Sequence, residues 1–260
     1  MPERTDYLIQ ATRRSDGEAI RRICVATCWI GEYRPEVLID EQIWADYWTR
    51  WFVDRERQHS WVVRRAADGE VVGYLTGTTD ERRFHRYVPW LLPRFAWRLL
   101  RRRFDGNPVS RAALRCAIRS VVQGETDVPA SLMAAYPATW HVDLLPEARG
   151  LGLGGAMLDL FIERMRRLGV PGLHAQPMSI NAAMVSVLRR AGFILACSRR
   201  LTAFEHAVQE PIDIQTWVLA FRPGAACERP MGCMMHTVSE SLCPPAAGLR
   251  GCRDLTHPGF

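Results

Sequence analysis

The feature that most limits how this chain can fold is LLPEARGLGLGGAMLDL, residues Leu144–Leu160. An apolar run meets Pro146, a glycine-rich turn runs from Arg149 to Gly155, and apolar residues then return at a new spacing. Upstream, ATWHVDLL alternates as a strand does. Downstream, Leu158, Phe161, Ile162, Met165 and Leu168 fall on one helical face, which predicts a helix over about 154–168 that Gly169 stops. Strand, glycine turn and helix make an anion-binding arrangement. The first amides of a helix lack intrahelical partners and sit at the positive end of its dipole. Glycines let an anion reach that backbone with no Cβ in the way. Arg149 adds a fixed cation. A diphosphate is the natural occupant, and a turn with no ligand is the competing reading. A dinucleotide fold would want GxGxxG near the first strand, and a P-loop would want a Lys after its last Gly; neither matches.

The rest of the chain reads as one α/β domain over 1–222. Residues 6–12 predict a strand. Ser15 with Glu18 has the form of a capping box ahead of a first helix. A second helix is expected from about 35 to 53, carrying Ile39, Ile43, Tyr47, Trp48 and Trp51. SWVVRRAADGEVVGYLTGTTD predicts a hairpin turning at Asp68-Gly69. Residues 81–137, with Pro89, Pro93, Pro108, Pro129 and Pro137, read as an insertion holding one or two helices. After the glycine turn come a short strand in VPGLHAQPM, a helix with Ser179 as N-cap and Asn181 in its first turn, and two final strands in FILACSRR and IDIQTWVLAFR. Beyond Pro223 periodicity vanishes, so 223–260 is expected to be a flexible Cys- and Pro-rich tail.

Composition narrows the partners. No run of about 18 uncharged apolar residues is present, so no membrane span is expected, and the polar N-terminus points to the cytoplasm. The net charge of +6 rests on arginine. Its densest run, Arg98 to Arg103, is expected to be a solvated helix face rather than a nucleic-acid site. Cys24, Cys28, Cys116 and Cys197 read as buried thiols. Cys227, Cys233, Cys243 and Cys252 have no CxxC spacing, so no metal is expected.

Arg149, Gly152 and Gly154 stand at the fixed positions of a pattern (Q/R)xxGx(G/A), and Gly192-Phe193 follows Asn181 by eleven and twelve residues. In both motifs the chain resembles the GNAT acetyltransferase superfamily over about 6–222. ICVATCWIG, DGEVVGYLTGTTD, YPATWHVDLLPEARGLGLGG and GVPGLHAQPMSIN look more closely like the acetyltransferase-like domain of animal O-GlcNAc hydrolases and its stand-alone bacterial relatives. The resemblance implies a mixed, mostly antiparallel, twisted sheet of about seven strands flanked by helices. It also implies acetyl-CoA as cofactor. The amides of Arg149, Gly150, Leu151, Gly152, Leu153, Gly154 and Gly155 would hold its pyrophosphate. Leu144 and Leu145 would pair with the pantetheine arm, and Asn181 would touch it.

Acetyl transfer to an amine needs a group that removes a proton, since an alkyl ammonium has a pKa near about 10.4. Strand alternation puts His141, Asp143 and Leu145 on one face and Trp140, Val142 and Leu144 on the other. Asp143 is the candidate base or amine binder; a structural, hydrogen-bonded Asp is the competing reading. Asp80, Trp48, Tyr47, Tyr136 and His141 are candidates for the acceptor side. Many GNAT enzymes place a proton-donating Tyr seven residues after the Asn, where this chain has Leu188. Two functions fit: an N-acetyltransferase working by direct attack in a ternary complex on a small-molecule or peptide amine, or a non-catalytic acetyl-CoA binder. Monomer and homodimer both stay open.

Overall fold

The computed structural model describes residues 3–104 and 111–221. The tail expected at 223–260, with its four cysteines, lies outside them. Strand β1 (Tyr7–Ala11) leads to helix α1 (Gly17–Ala26). Asp16 is its N-cap, and the Asp16 carboxylate accepts from Arg13 N at 2.7 Å, so the predicted Ser15–Glu18 box does not form. Asp16 also pairs with Arg64 across to the hairpin, and a side chain so engaged outcompetes a serine for the turn.

The predicted second helix is broken. Pro35–Val37 is a single 3₁₀ turn, and the chain then extends to Asp40. Asp40 Oδ1 accepts from Gln42 N and Ile43 N, which restarts the helix. Helix α2 (Glu41–Ala45) runs through a π-turn (Asp46–Arg50) into α3 (Trp51–Arg55). The π-turn carries Tyr47 and Trp48, and such turns cluster at functional sites. It is pinned by Asp46, which is buried and faces Arg21, Arg50 and Arg94.

Strands β2 (Trp61–Arg65) and β3 (Val71–Thr78) form the expected hairpin, with Gly69 at φ +73 in its turn. The insertion holds three helices rather than one or two: α4 (Glu81–Phe104), α5 (Arg111–Val122) and α6 (Ala130–Ala135). Pro89 and Pro93 do not break α4. They lie four residues apart on its exposed side, where the carbonyls they free meet water.

Strand β4 (Thr139–Leu144) pairs with β3, and α7 (Leu153–Arg167), β5 (Gly172–Ala175), α8 (Ala182–Arg190), β6 (Ile194–Leu201) and β7 (Ile212–Ala220) complete the order. All seven expected strands form, but as two sheets, β1-β2-β3-β4 and β5-β7-β6, antiparallel within each. The sheets meet at one parallel bridge, Ala138 with Leu173. Past it β4 and β5 part, so Trp140–Leu144 have a strand partner on the β3 side only. Asn181 rather than Ser179 caps α8. Its Oδ1 accepts from Met184 N at 3.0 Å, while Ser179 Oγ is used by Asp213 N.

Helix α7 fills the main core. Met157, Leu158, Phe161, Ile162 and Met165 are buried against Val63, Val72 and Leu75, each such side chain worth about 1.5–3 kcal/mol of transfer free energy. A Cβ on Gly77 would lie 2.3 Å from Phe161 Cε2, so the glycine is what lets α7 sit on β3. Trp140, Val142 and Leu144 join this core, which leaves His141 and Asp143 on the face of α1 and the π-turn, as the alternation predicts. A second core of Ile20, Ile23, Cys24, Val53, Val62 and Tyr74 fills that face.

Candidate functional site

The glycine turn has the geometry that an anion needs. Gly150 and Gly152 have φ of +75 and +73, values costly for any side chain. Gly152 is the N-cap of α7, and Ala156 N is the first helix amide to find a carbonyl, Gly152 O at 3.0 Å. The amides of Gly150, Leu151, Gly152, Leu153, Gly154 and Gly155 donate to no described residue. They form a row of orphan donors at the positive end of a helix of 15 residues. The Arg149 amide does not belong to that row, because it donates to Pro146 O at 3.2 Å.

The Arg149 side chain also differs from its expected role. Nε donates to Leu144 O at 2.8 Å and Nη2 donates to Gly31 O. The guanidinium is thus turned inward, tying the end of β4 to the loop after α1 instead of facing the turn. Two carbonyls beside one fixed fork hold it there. Another cation stands at the mouth. Arg4 Nη1 comes within 3.8 Å of where a Cβ on Gly152 would be, and no described carboxylate pairs with it. Sequence reasoning missed Arg4, since nothing local ties it to a turn so far down the chain. What brings it there is the start of β1, where Tyr7 OH donates to Glu147 O at 2.9 Å.

On the face of β4 turned to α1 and the π-turn sits a polar cluster. Tyr74 is the cross-strand partner of Asp143 and donates its hydroxyl to Asp143 Oδ2 at 2.6 Å. The same hydroxyl lies 3.1 Å from His141 Nδ1. His141 Nε2 is 3.6 Å from Asp143 Oδ2. Burial pushes the Asp143 carboxyl above the usual carboxylate range, against the opposing pull of His141, Tyr74, Thr27 and Arg149. Burial and the Asp143 charge push the Tyr74 phenol well up, so it stays a neutral donor. The same two causes raise the Cys24 thiol far above its ordinary value. Cys24, His141 and Asp143 offer ligand atoms within 4.8 Å of one another, a grouping the sequence did not suggest. The Tyr74 hydroxyl already bonds the two on β4.

Aromatic rings wall the cluster. Trp48 stacks on His141 with centroids 5.0 Å apart and planes at 26°. Trp44 and Tyr47 pack edge-on or tilted against Trp48. Burial pushes the Tyr47 phenol up to about 12. The structure therefore brings together Asp143, His141, Trp48 and, behind it, Tyr47. It places Tyr136 elsewhere, buried with Leu132, Cys197 and Val218, its carbonyl 2.6 Å from His174 Nδ1. Asp80 lies at the start of α4, where Oδ1 accepts from Arg82 N at 3.1 Å and pairs with the Arg82 guanidinium. Asn181 spends its side-chain oxygen on the cap, leaving its NH₂ without a described partner. Leu188 is wholly buried in the main core. Of the four described cysteines Cys116 is half-exposed and the others are buried.

No family model matches the chain. Among solved structures it is similar to SsHAT, with 26% identity over 84% of this chain and 98% of that one and a TM-score of 0.60. A polyamine N-acetyltransferase of Drosophila melanogaster that forms N-acetylagmatine matches at 18% identity, over 83% and 100% of the two chains, with a TM-score of 0.52. The protein yncA of Salmonella typhimurium, a candidate acetyltransferase solved with its cofactor acetyl-CoA, matches at 17% identity over 86% and 98%, TM-score 0.50. The fold is that of the GNAT acetyltransferases. No helix among the described residues is long and apolar enough to cross a membrane.

Proposed function

We propose that this protein is an acetyl-CoA-dependent N-acetyltransferase that acts on an amine of a small-molecule or peptide acceptor by direct attack in a ternary complex. The observation that carries the reading is the row of orphan amides from Gly150 to Gly155 ending beside the unpaired edge of β4. One end of that groove suits a diphosphate; the edge of β4 suits an amide-bearing arm, although at its end Leu144 O already accepts from Arg149 and Leu145 bonds Val72 and Ala148. Asn181, whose oxygen caps α8, has an NH₂ with no described partner to offer the same arm. Coenzyme A has those two parts in that order. Arg149 supports the groove by fixing the end of β4 and contributes no charge to the phosphates.

The acceptor enters on the Trp48 and His141 side, where the carboxylate of Asp143 supplies the negative charge for an amine. Asp80 and Tyr136 keep structural roles in this reading. The state of Cys24 favours direct attack over an acyl-cysteine: it is 1% exposed, and burial beside Asp143 holds it as thiol, the poor nucleophile. We further read the chain as a relative of the acetyltransferase-like domain of O-GlcNAc hydrolases. One observation favours a second function, a non-catalytic acetyl-CoA binder: the usual proton-donor position is Leu188, sealed in the core. Thiol release from acetyl-CoA across aminosugars, polyamines, peptides and aminoglycosides separates the two. Release that depends on one acceptor class supports the enzyme. Tight coenzyme binding with release from none supports the binder.

A further inference from the structure

We propose that His141 Nε2 is the atom that takes the proton from the acceptor amine, and that Tyr74 is the positioning residue that makes it a base. The inference rests on the acetyltransferase reading and deepens it. A hydroxyl has one proton to give. Tyr74 gives its proton to Asp143 Oδ2 at 2.6 Å, the shorter of its two contacts. Its oxygen then faces His141 Nδ1 at 3.1 Å as an acceptor, so Nδ1 must carry the imidazole proton. That fixes the tautomer and leaves the lone pair on Nε2. Trp48, stacked at 5.0 Å, holds the ring plane. When Nε2 gains a proton, Asp143 Oδ2 at 3.6 Å stabilises the imidazolium.

Exposure points the same way. The His141 side chain is 26% exposed and that of Asp143 15%, and Asp143 is occupied by Tyr74. The groups that face the ring are therefore Tyr74 from β3, Asp143 from β4, Trp48 from the π-turn and Cys24 from α1. The cation that acts on this cluster is Arg149, and its guanidinium is spent on the carbonyls of Leu144 and Gly31. The chemistry balances. His141 Nε2 removes a proton from the ammonium, and the freed nitrogen pair forms the C–N bond at the thioester carbon. The C–S bond breaks with its pair on sulfur, the new amide nitrogen sheds its second proton to that sulfur, and His141 returns its own proton to solvent.

Two measurements test this. With an acceptor that supports turnover, His141→Gln is expected to lower kcat by about 100-fold or more while acetyl-CoA affinity holds, since a positioned base contributes roughly that much. Tyr74→Phe keeps the ring but not the tautomer, so it should lower kcat/KM and change its pH profile while acetyl-CoA affinity holds. In ¹⁵N-histidine spectra of the wild type, His141 should be protonated on Nδ1, and in Tyr74→Phe that preference should be lost. A His141→Gln variant within about threefold of wild type in kcat overturns the assignment, on the same scale. So does a wild-type His141 protonated on Nε2, a readout that needs no turnover. Thiol release from no amine, in contrast, would sink the acetyltransferase reading itself and this inference with it.

Discussion

Replacing Gly155 by Glu separates binding from folding. Gly155 is in the first turn of α7, and a Cβ there meets nothing within 4 Å. Glycine in a helix costs about 0.5–1 kcal/mol relative to a good helix former. A carboxylate in the first turn adds roughly 0.3–1 kcal/mol through the dipole. Folding should therefore gain about 1–2 kcal/mol, which for a chain of this size raises Tm by roughly 2–8 °C. The same carboxylate points into the row of orphan amides. At about 5 Å from a doubly charged diphosphate the repulsion is about 2 kcal/mol even at the dielectric of water, roughly a 30-fold loss of affinity. Differential scanning fluorimetry and titration calorimetry with acetyl-CoA read the two effects. Tm and Kd should rise together. A drop in Tm would mean that the turn packs against protein, and an unchanged Kd would mean that no diphosphate lies there.

Three further substitutions test other parts of the account. Asp143→Asn removes the charge that draws in the amine and faces the His141 ring, and should lower acetyl transfer much more than acetyl-CoA affinity. Burial raises the Asp143 pKa, so its ionised form costs stability that is recovered only as pH falls below the folded value; the variant should match or exceed wild-type Tm at pH 7, with the gap closing toward about pH 4, as Tm read against pH would show. Arg4→Ala should weaken acetyl-CoA binding by about 1 kcal/mol, roughly fivefold, as expected for an exposed charge pair, and leave binding of acetyl-pantetheine, which has no diphosphate, unchanged in calorimetry. Asp46→Asn removes the charge that faces Arg21, Arg50 and Arg94 beneath the π-turn; since those arginines reach solvent, the loss should be about 1–3 kcal/mol, seen as a lower urea midpoint at constant m.

The strand–turn–helix around Arg149–Gly155 was legible because its signals are local: alternation in Ala138–Leu145, glycines at positive φ, and apolar residues at helical spacing. The hairpin at Gly69 was legible for the same reason. What sequence could not supply was register. Tyr74 lies in a strand that reads correctly, yet only pairing with β4 sets it opposite Asp143. Arg149 reads as a phosphate ligand until Gly31, distant in sequence, offers a carbonyl. Two caps moved by one or two residues: Asp16 rather than Ser15 accepts from Arg13 N, and Ser179 is taken by Asp213 N, which leaves Asn181 to cap. The break at Asp40 has a local cue, Asp40 itself as an N-cap, which the apolar spacing across 35–53 hides; the π-turn after it has none and is held by the arginines around Asp46.

The central claim is that an acetyl group passes straight from coenzyme to amine within one complex. Mass spectrometry of a single turnover, with the label in the acetyl group of acetyl-CoA, follows that group directly. The label should reach an amide of the acceptor only when enzyme, coenzyme and amine are present together, and the protein should stay unlabelled throughout. Label on Cys24 or another side chain before the acceptor is added, or label that never leaves the coenzyme with any amine, would contradict the account.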